Sequence, residues 1–111
     1  MKANAVVNLF GRNVRLDQEA ELIKWYNEHH AHDLMKFKGL KRYTLLKILK
    51  PEEKYPNYLL IAEFNNQKDY EDFKVFVTEE RKREDRVRLN FQPEIVWRVP
   101  YKVVSTWEQK S

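Results

Sequence analysis

His29, His30 and His32 lie within the stretch Trp25-Tyr26-Asn27-Glu28-His29-His30-Ala31-His32-Asp33-Leu34, and the chain contains no other histidine. Histidine is the side chain whose ordinary pKa lets it change charge near neutrality, so a cluster beside aromatic and acidic residues is a candidate for proton transfer or metal binding. A metal is the poorer fit. His29, His32 and Asp33 have the i, i+3 and i, i+4 spacing of one helix face, but a stable site draws three or four convergent ligands. A lone histidine is likewise not specific for haem. The expectation is no metal and no cofactor.

A helix has to position these residues. Asp17 offers an N-cap, Glu19 and Glu21 set negative charge near the positive end of the helix dipole, and Lys36, Lys38 and Gly39 close the segment. These signals predict a helix from about Asp17 to Lys36. Projected at about 100° per residue, Leu22, Ile23, Tyr26, His30 and Leu34 share an arc of roughly 120° with His30 near its middle. His29 sits at the margin beside Asp33, and His32 points to the polar side. An inward histidine must either bond a core polar group or line a cavity, because an unpaired buried polar group costs on the order of 1 to 3 kcal/mol.

The remaining elements read from β-branched and aromatic runs between turn signals. Ala5–Phe10, ending at Gly11, is a first strand; Leu40–Leu49, stopped by Lys50-Pro51, is a second. Tyr58–Phe64 is a third, in an antiparallel hairpin with the second. Asn65 or Asn66 then caps a helix with Tyr70, Phe73, Phe76 and Val77 on its inner face, followed by a more exposed helical stretch through the charged run Glu79–Arg88. Ile95, Trp97, Val99, Tyr101, Val103 and Trp107 alternate with Arg98, Pro100, Lys102 and Thr106, the period-two pattern of a last strand. The order β-α-β-β-α-β predicts an α+β, ferredoxin-like domain: a four-stranded antiparallel sheet with helices on one face. The other face then needs a cover, and a second subunit is the natural one.

Composition narrows the function classes. The 111 residues suit one small domain, residues 1–111, and the absence of cysteine removes disulfides and thiolate chemistry. No apolar run approaches the roughly 20 residues that cross a bilayer, and Met1-Lys2-Ala3-Asn4-Ala5 lacks a signal peptide's apolar core, so a cytoplasmic protein without membrane contact is expected. The net charge of +4 raises nucleic acid as a partner, but 17 acidic residues dilute it and the run after Thr78 alternates in sign. RNA-recognition domains share the element order, yet Tyr58–Phe64 lacks their glycine and basic residue. No nucleic-acid partner is expected.

The pattern Trp25 to Leu34, followed by Lys38-Gly39-Leu40 and Arg42-Tyr43, resembles the signature of EthD-like proteins in the dimeric α/β barrel superfamily. His30 takes the place of the family histidine, Asp33 that of its aspartate, and Glu28 lies near its acidic position. His32 and Lys38 stand where the family has proline. The resemblance covers mainly residues 22 to 43. It implies a homodimer whose two sheets form a dimeric α/β barrel, with exchange involving the last strand, and a cleft between helices and sheet. It does not choose among the superfamily's reactions.

The chemistry that follows is a small-molecule site with His30 as general acid or base, oriented by Asp33 or, less directly, Glu28. Tyr26, Tyr43 and Trp97 are then wall residues. Such a site suits proton abstraction beside a carbonyl, with a tyrosine hydroxyl supporting the enolate. The rival is a non-catalytic ligand-binding or assembly dimer, in which the same aromatics are core and interface packing.

Overall fold

The computed structural model describes residues 2–110. Strands β1 (Val6–Asn13), β2 (Leu40–Lys47), β3 (Tyr58–Phe64) and β4 (Glu94–Lys102) form one antiparallel sheet in the order β2-β3-β1-β4. Between β1 and β2 the chain makes a 3₁₀ turn (Leu16–Gln18), helix α1 (Glu19–Trp25), a π-helical turn (Tyr26–His30) and a last short helix, α2 (Ala31–Leu34). Helix α3 (Gln67–Lys82) joins β3 to β4. This is the ferredoxin-like βαββαβ arrangement. Among the described residues no helix is long and apolar enough to cross a membrane.

The central strand β3 shows why one face is the core. Tyr58, Leu60, Ala62 and Phe64 are buried while the residues between them are only half-buried, the alternation of a strand with one face packed. Phe64 joins Val6, Leu34, Leu40 and Phe73 in one apolar cluster; Tyr58 and Leu60 join Val14, Leu22 and Tyr26 in another. Helix α3 begins where Asn66 Oδ1 accepts from the Asp69 amide at 2.8 Å, which satisfies a first-turn N–H.

The expected barrel is not formed. The sheet is open, with β2 and β4 as its two edges and no pairing between them. Closing a sheet needs its outermost strands to bond each other, and β2 and β4 lie at opposite edges with β3 and β1 between them. β4 lies along β1 of its own chain, from Val6 opposite Lys102 to Asn13 opposite Glu94.

Other departures concern local boundaries. β1 does not stop at Gly11 but runs through it, and the β1–β4 register shifts between Gly11 and Arg12. A Cβ at Gly11 would lie 2.8 Å from Pro56 Cγ and 3.2 Å from Trp97 Cε2, so the glycine marks close packing rather than a turn. Helix α3 ends at Lys82, because Arg83 takes an extended conformation, and residues 83–93 cross back over the first helix as a loop. β4 ends at Lys102, leaving Trp107 beyond it and exposed.

The π-helical turn positions the histidines. In a plain α-helix each four-residue step advances about 40° around the axis, so Leu22, Tyr26, His30 and Leu34 would drift off a common line. The wider turn, in which the Ala31 amide bonds the Tyr26 carbonyl, rotates less per residue and offsets that drift. Leu22, Tyr26 and Leu34 are buried and His30 is half-buried among them, whereas Ile23 is turned outward.

Candidate functional site

A cavity of about 260 Å³ lies between the helices and the sheet. Phe10, Leu34, Leu60, Ala62, Phe73 and Val77 supply its apolar lining. Side chains from four elements and the π turn converge on it: Arg12 from β1, Tyr26 and His30 from the π turn, Tyr43 from β2, Arg81 from α3 and Arg98 from β4. The pleat explains the set, since Phe10 pairs with Leu60 and Arg98, and residues that pair across strands share a face.

His30 is held on three sides. Its ring stacks on Trp25 at 4.2 Å and 11°, and meets Tyr26 edge-on at 5.2 Å. Its Nδ1 lies 3.1 Å from Arg86 Nη2. A guanidinium only donates, so Nδ1 accepts and the ring proton resides on Nε2. Burial, then the charges of Arg86 and Arg12, pull the pKa of His30 down to about 3 against a weaker opposing effect of Asp33. The imidazole is therefore neutral near pH 7, with one N–H left to donate.

Tyr26 and Tyr43 stand beside it, their ring centres 6.2 Å apart. The Tyr26 hydroxyl accepts from Arg12 Nη1 at 3.1 Å. Burial raises the pKa of Tyr26, partly offset by Arg12, and raises that of Tyr43 well above the ordinary phenol value, with Tyr26 adding to the effect. Both are neutral hydroxyls at physiological pH.

The other expected site residues lie elsewhere. Asp33 forms ion pairs with Arg83 at 3.5 Å and Lys36 at 3.6 Å. Glu28 is exposed, 3.9 Å from His29, on the outer side of the helix facing a groove with Trp25 and Val87. Trp97 lies over Gly11 on the opposite face of the sheet, because Arg98 beside it points into the cavity. Among the described residues no three His, Cys, Asp or Glu side chains converge to hold a metal ion.

The cavity's cations and Asn8 were not singled out from the sequence. Arg98 was legible as a charge in a β-alternation, but alternation does not say which face is inside. Arg86 comes from the loop that follows α3, and no local pattern predicts its return to His30. That loop is anchored by Trp25 Nε1, which donates to the Val87 carbonyl at 2.9 Å.

Residues 10–105 match the profile of a family described as a domain of unknown function, DUF4286. The chain belongs to the DUF4286 family. The matched profile is thus not the EthD-like one, although both the strand order and the solved structures agree on a ferredoxin-like fold. No curated protein sequence matches this DUF4286 chain. Among solved structures it is similar to a mutant of MhuD with two manganese protoporphyrin IX molecules bound per active site, at 17% identity and a TM-score of 0.71, over 94% of this chain and 99% of that one. MhuD is the haem degrader of Mycobacterium tuberculosis. It is also similar to HapK from Hahella chejuensis, at 8% identity and a TM-score of 0.65, over 96% and 99% of the two chains. A dimeric ferredoxin-like protein from an uncultured marine organism matches at 13% identity and a TM-score of 0.64, over 98% and 95%. At these identities the likeness is one of fold.

Proposed function

We propose that the cleft binds a small, flat, largely apolar molecule carrying a carbonyl-type oxygen, with His30, Tyr26 and Tyr43 as the polar groups that orient it. The observation that supports this most is the convergence of an apolar lining with neutral hydrogen-bond donors in one concave space. With Nδ1 engaged by Arg86, His30 offers Nε2–H to such an oxygen, a role that polarises a carbonyl rather than removing a proton beside it. An acid–base reaction at His30 is therefore assigned in the acid direction, as donor to a developing enolate or alkoxide. A histidine held in this way does not make a haem site, so nothing of MhuD's porphyrin is carried over.

The reading includes a homodimer. The sheet face away from the helices carries Leu9, Ile61, Leu46, Trp97, Val99 and Tyr101 with no helix across it among the described residues, and the marine protein of the same fold is dimeric. An aliphatic and aromatic face of this kind is usually covered in solution.

The test is a thermal-shift screen with neutral and charged bicyclic aromatic carbonyl compounds. At least one should raise the Tm of the wild type and not that of Thr78→Trp, which fills the cavity from the surface of α3. No stabilisation by any compound, or an equal gain in the blocked variant, would contradict the assignment.

A further inference from the structure

We infer that the occupant of this cleft is an anion, a carboxylate on a one- or two-ring apolar body; the inference rests on the cleft being a small-molecule site. Arg12, Lys74, Arg81 and Arg98 all line the cavity, and among the described residues no aspartate or glutamate does. Lys74 is already neutralised by Glu71 at 2.7 Å. Among the described residues, the three arginines form no ion pair. In a chain with 17 acidic residues, many of them paired on the surface, three guanidiniums left together at one cavity are a departure that packing does not require.

Their surroundings make the omission sharper. The Arg98 and Arg12 guanidiniums lie 4.4 Å and 4.9 Å from the centre of the same Phe10 ring, which orients both planes without supplying an acceptor. Arg12 Nε is buried with no hydrogen-bond partner, and so is Asn8 Oδ1 on the same strand face. A buried polar atom left without a partner is destabilising, so a ligand that pairs both atoms gains from it. A carboxylate beside Phe10 would accept from Arg12 and Arg98, the fork geometry that guanidiniums match best. A hydroxyl next to that carboxylate would donate to Asn8 Oδ1. Like charges at one site also repel: burial, then Arg81 and Arg12, depress the pKa of Arg98, and an anion would relieve the same strain. The volume, about 260 Å³, is at the small end for ligand pockets, so the apolar body is one or two rings.

The experiment is calorimetric titration with 3-hydroxy-2-naphthoate and, in parallel, its neutral amide. The acid should bind the wild type at least tenfold more tightly than the amide. Arg98→Gln should weaken acid binding at least tenfold and amide binding by no more than about threefold, because the amide loses a neutral hydrogen bond and not a charge pair, and Arg98→Lys should restore part of the loss. Should Arg98→Gln fail the circular-dichroism check of folding, Arg81→Gln, at the solvent-exposed rim of the cavity, carries the same test. Equal affinity for acid and amide, or acid binding indifferent to both glutamine variants, overturns the anion assignment while leaving the cleft a small-molecule site. No binding of either compound at millimolar concentration overturns both.

Discussion

The two faces of the sheet are built from the same strands and have opposite characters. The face under the helices carries Asn8, Phe10, Arg12 and Arg98 around a cavity, whereas the other carries Leu9, Ile61, Val99 and Tyr101 with no helix across it among the described residues. Simple burial would put the charges outside and the aliphatics under the helices. The inversion on β1 and β4 says that the helix-covered side is arranged to meet something polar, and the bare side to meet something apolar. On β3, which crosses both hydrophobic clusters, the ordinary arrangement holds, and that strand supplies the stability.

The largest effect should come from the covered face. Phe64 is 1% exposed and touches Tyr70 and Phe73, so Phe64→Ala should lower unfolding free energy by about 3–5 kcal/mol in a urea titration. His30 sharpens the contrast through pH. Its folded pKa, about 3, lies below the ordinary 6.5, so between these values the unfolded chain binds a proton that the native state does not. Stability should therefore fall as pH drops below 6.5, by up to about 1.4 kcal/mol per pH unit, and this slope should flatten in His30→Gln. The charged groups facing the ring are Arg86, Arg12, Arg81 and Asp33, and in the native state burial first, then the three cations, keep the imidazole neutral against Asp33.

On the bare face the effects are smaller. Gly11→Ala sets a methyl 2.8 Å from Pro56 Cγ and close to Trp97, and should cost about 1–3 kcal/mol, read from the urea midpoint. Tyr101→Lys, at an exposed position on the edge strand, should change the stability of the isolated chain least, within about 0.5 kcal/mol as for most surface changes. Its effect should appear in mass instead: light scattering should give a dimer for the wild type and a monomer for the variant. A wild-type monomer at micromolar concentration would leave the bare face without its proposed cover.

The order of elements, the bounds of β3 and a helix cap at Asn65 or Asn66 were legible because each is written in local chemistry: alternation, β-branching and a side-chain oxygen before a helix. The barrel was not, since it came from resemblance and depends on strand pairings that no local pattern encodes. Gly11 read as a stop signal because glycine ends strands and also marks close approach, and only the position of Pro56 distinguishes the two. His30 was picked out and its place on the inner face follows from the i, i+4 series, but its partner was taken to be Asp33 or, less directly, Glu28, both near in sequence. Asp33 instead pairs with Arg83 and Lys36, while Arg86, 56 residues away, reaches the ring across the loop after α3. Long-range returns of this kind are where sequence periodicity is silent.

The most direct test of the account is to see which face a ligand touches. In methyl-labelled protein titrated with 3-hydroxy-2-naphthoate, the methyl resonances of Leu34, Leu60 and Val77 should shift in a saturable way while those of Leu9, Leu46 and Val99 stay in place. Shifts confined to Leu9, Leu46 and Val99 would place binding on the bare face and contradict the assignment of the cleft.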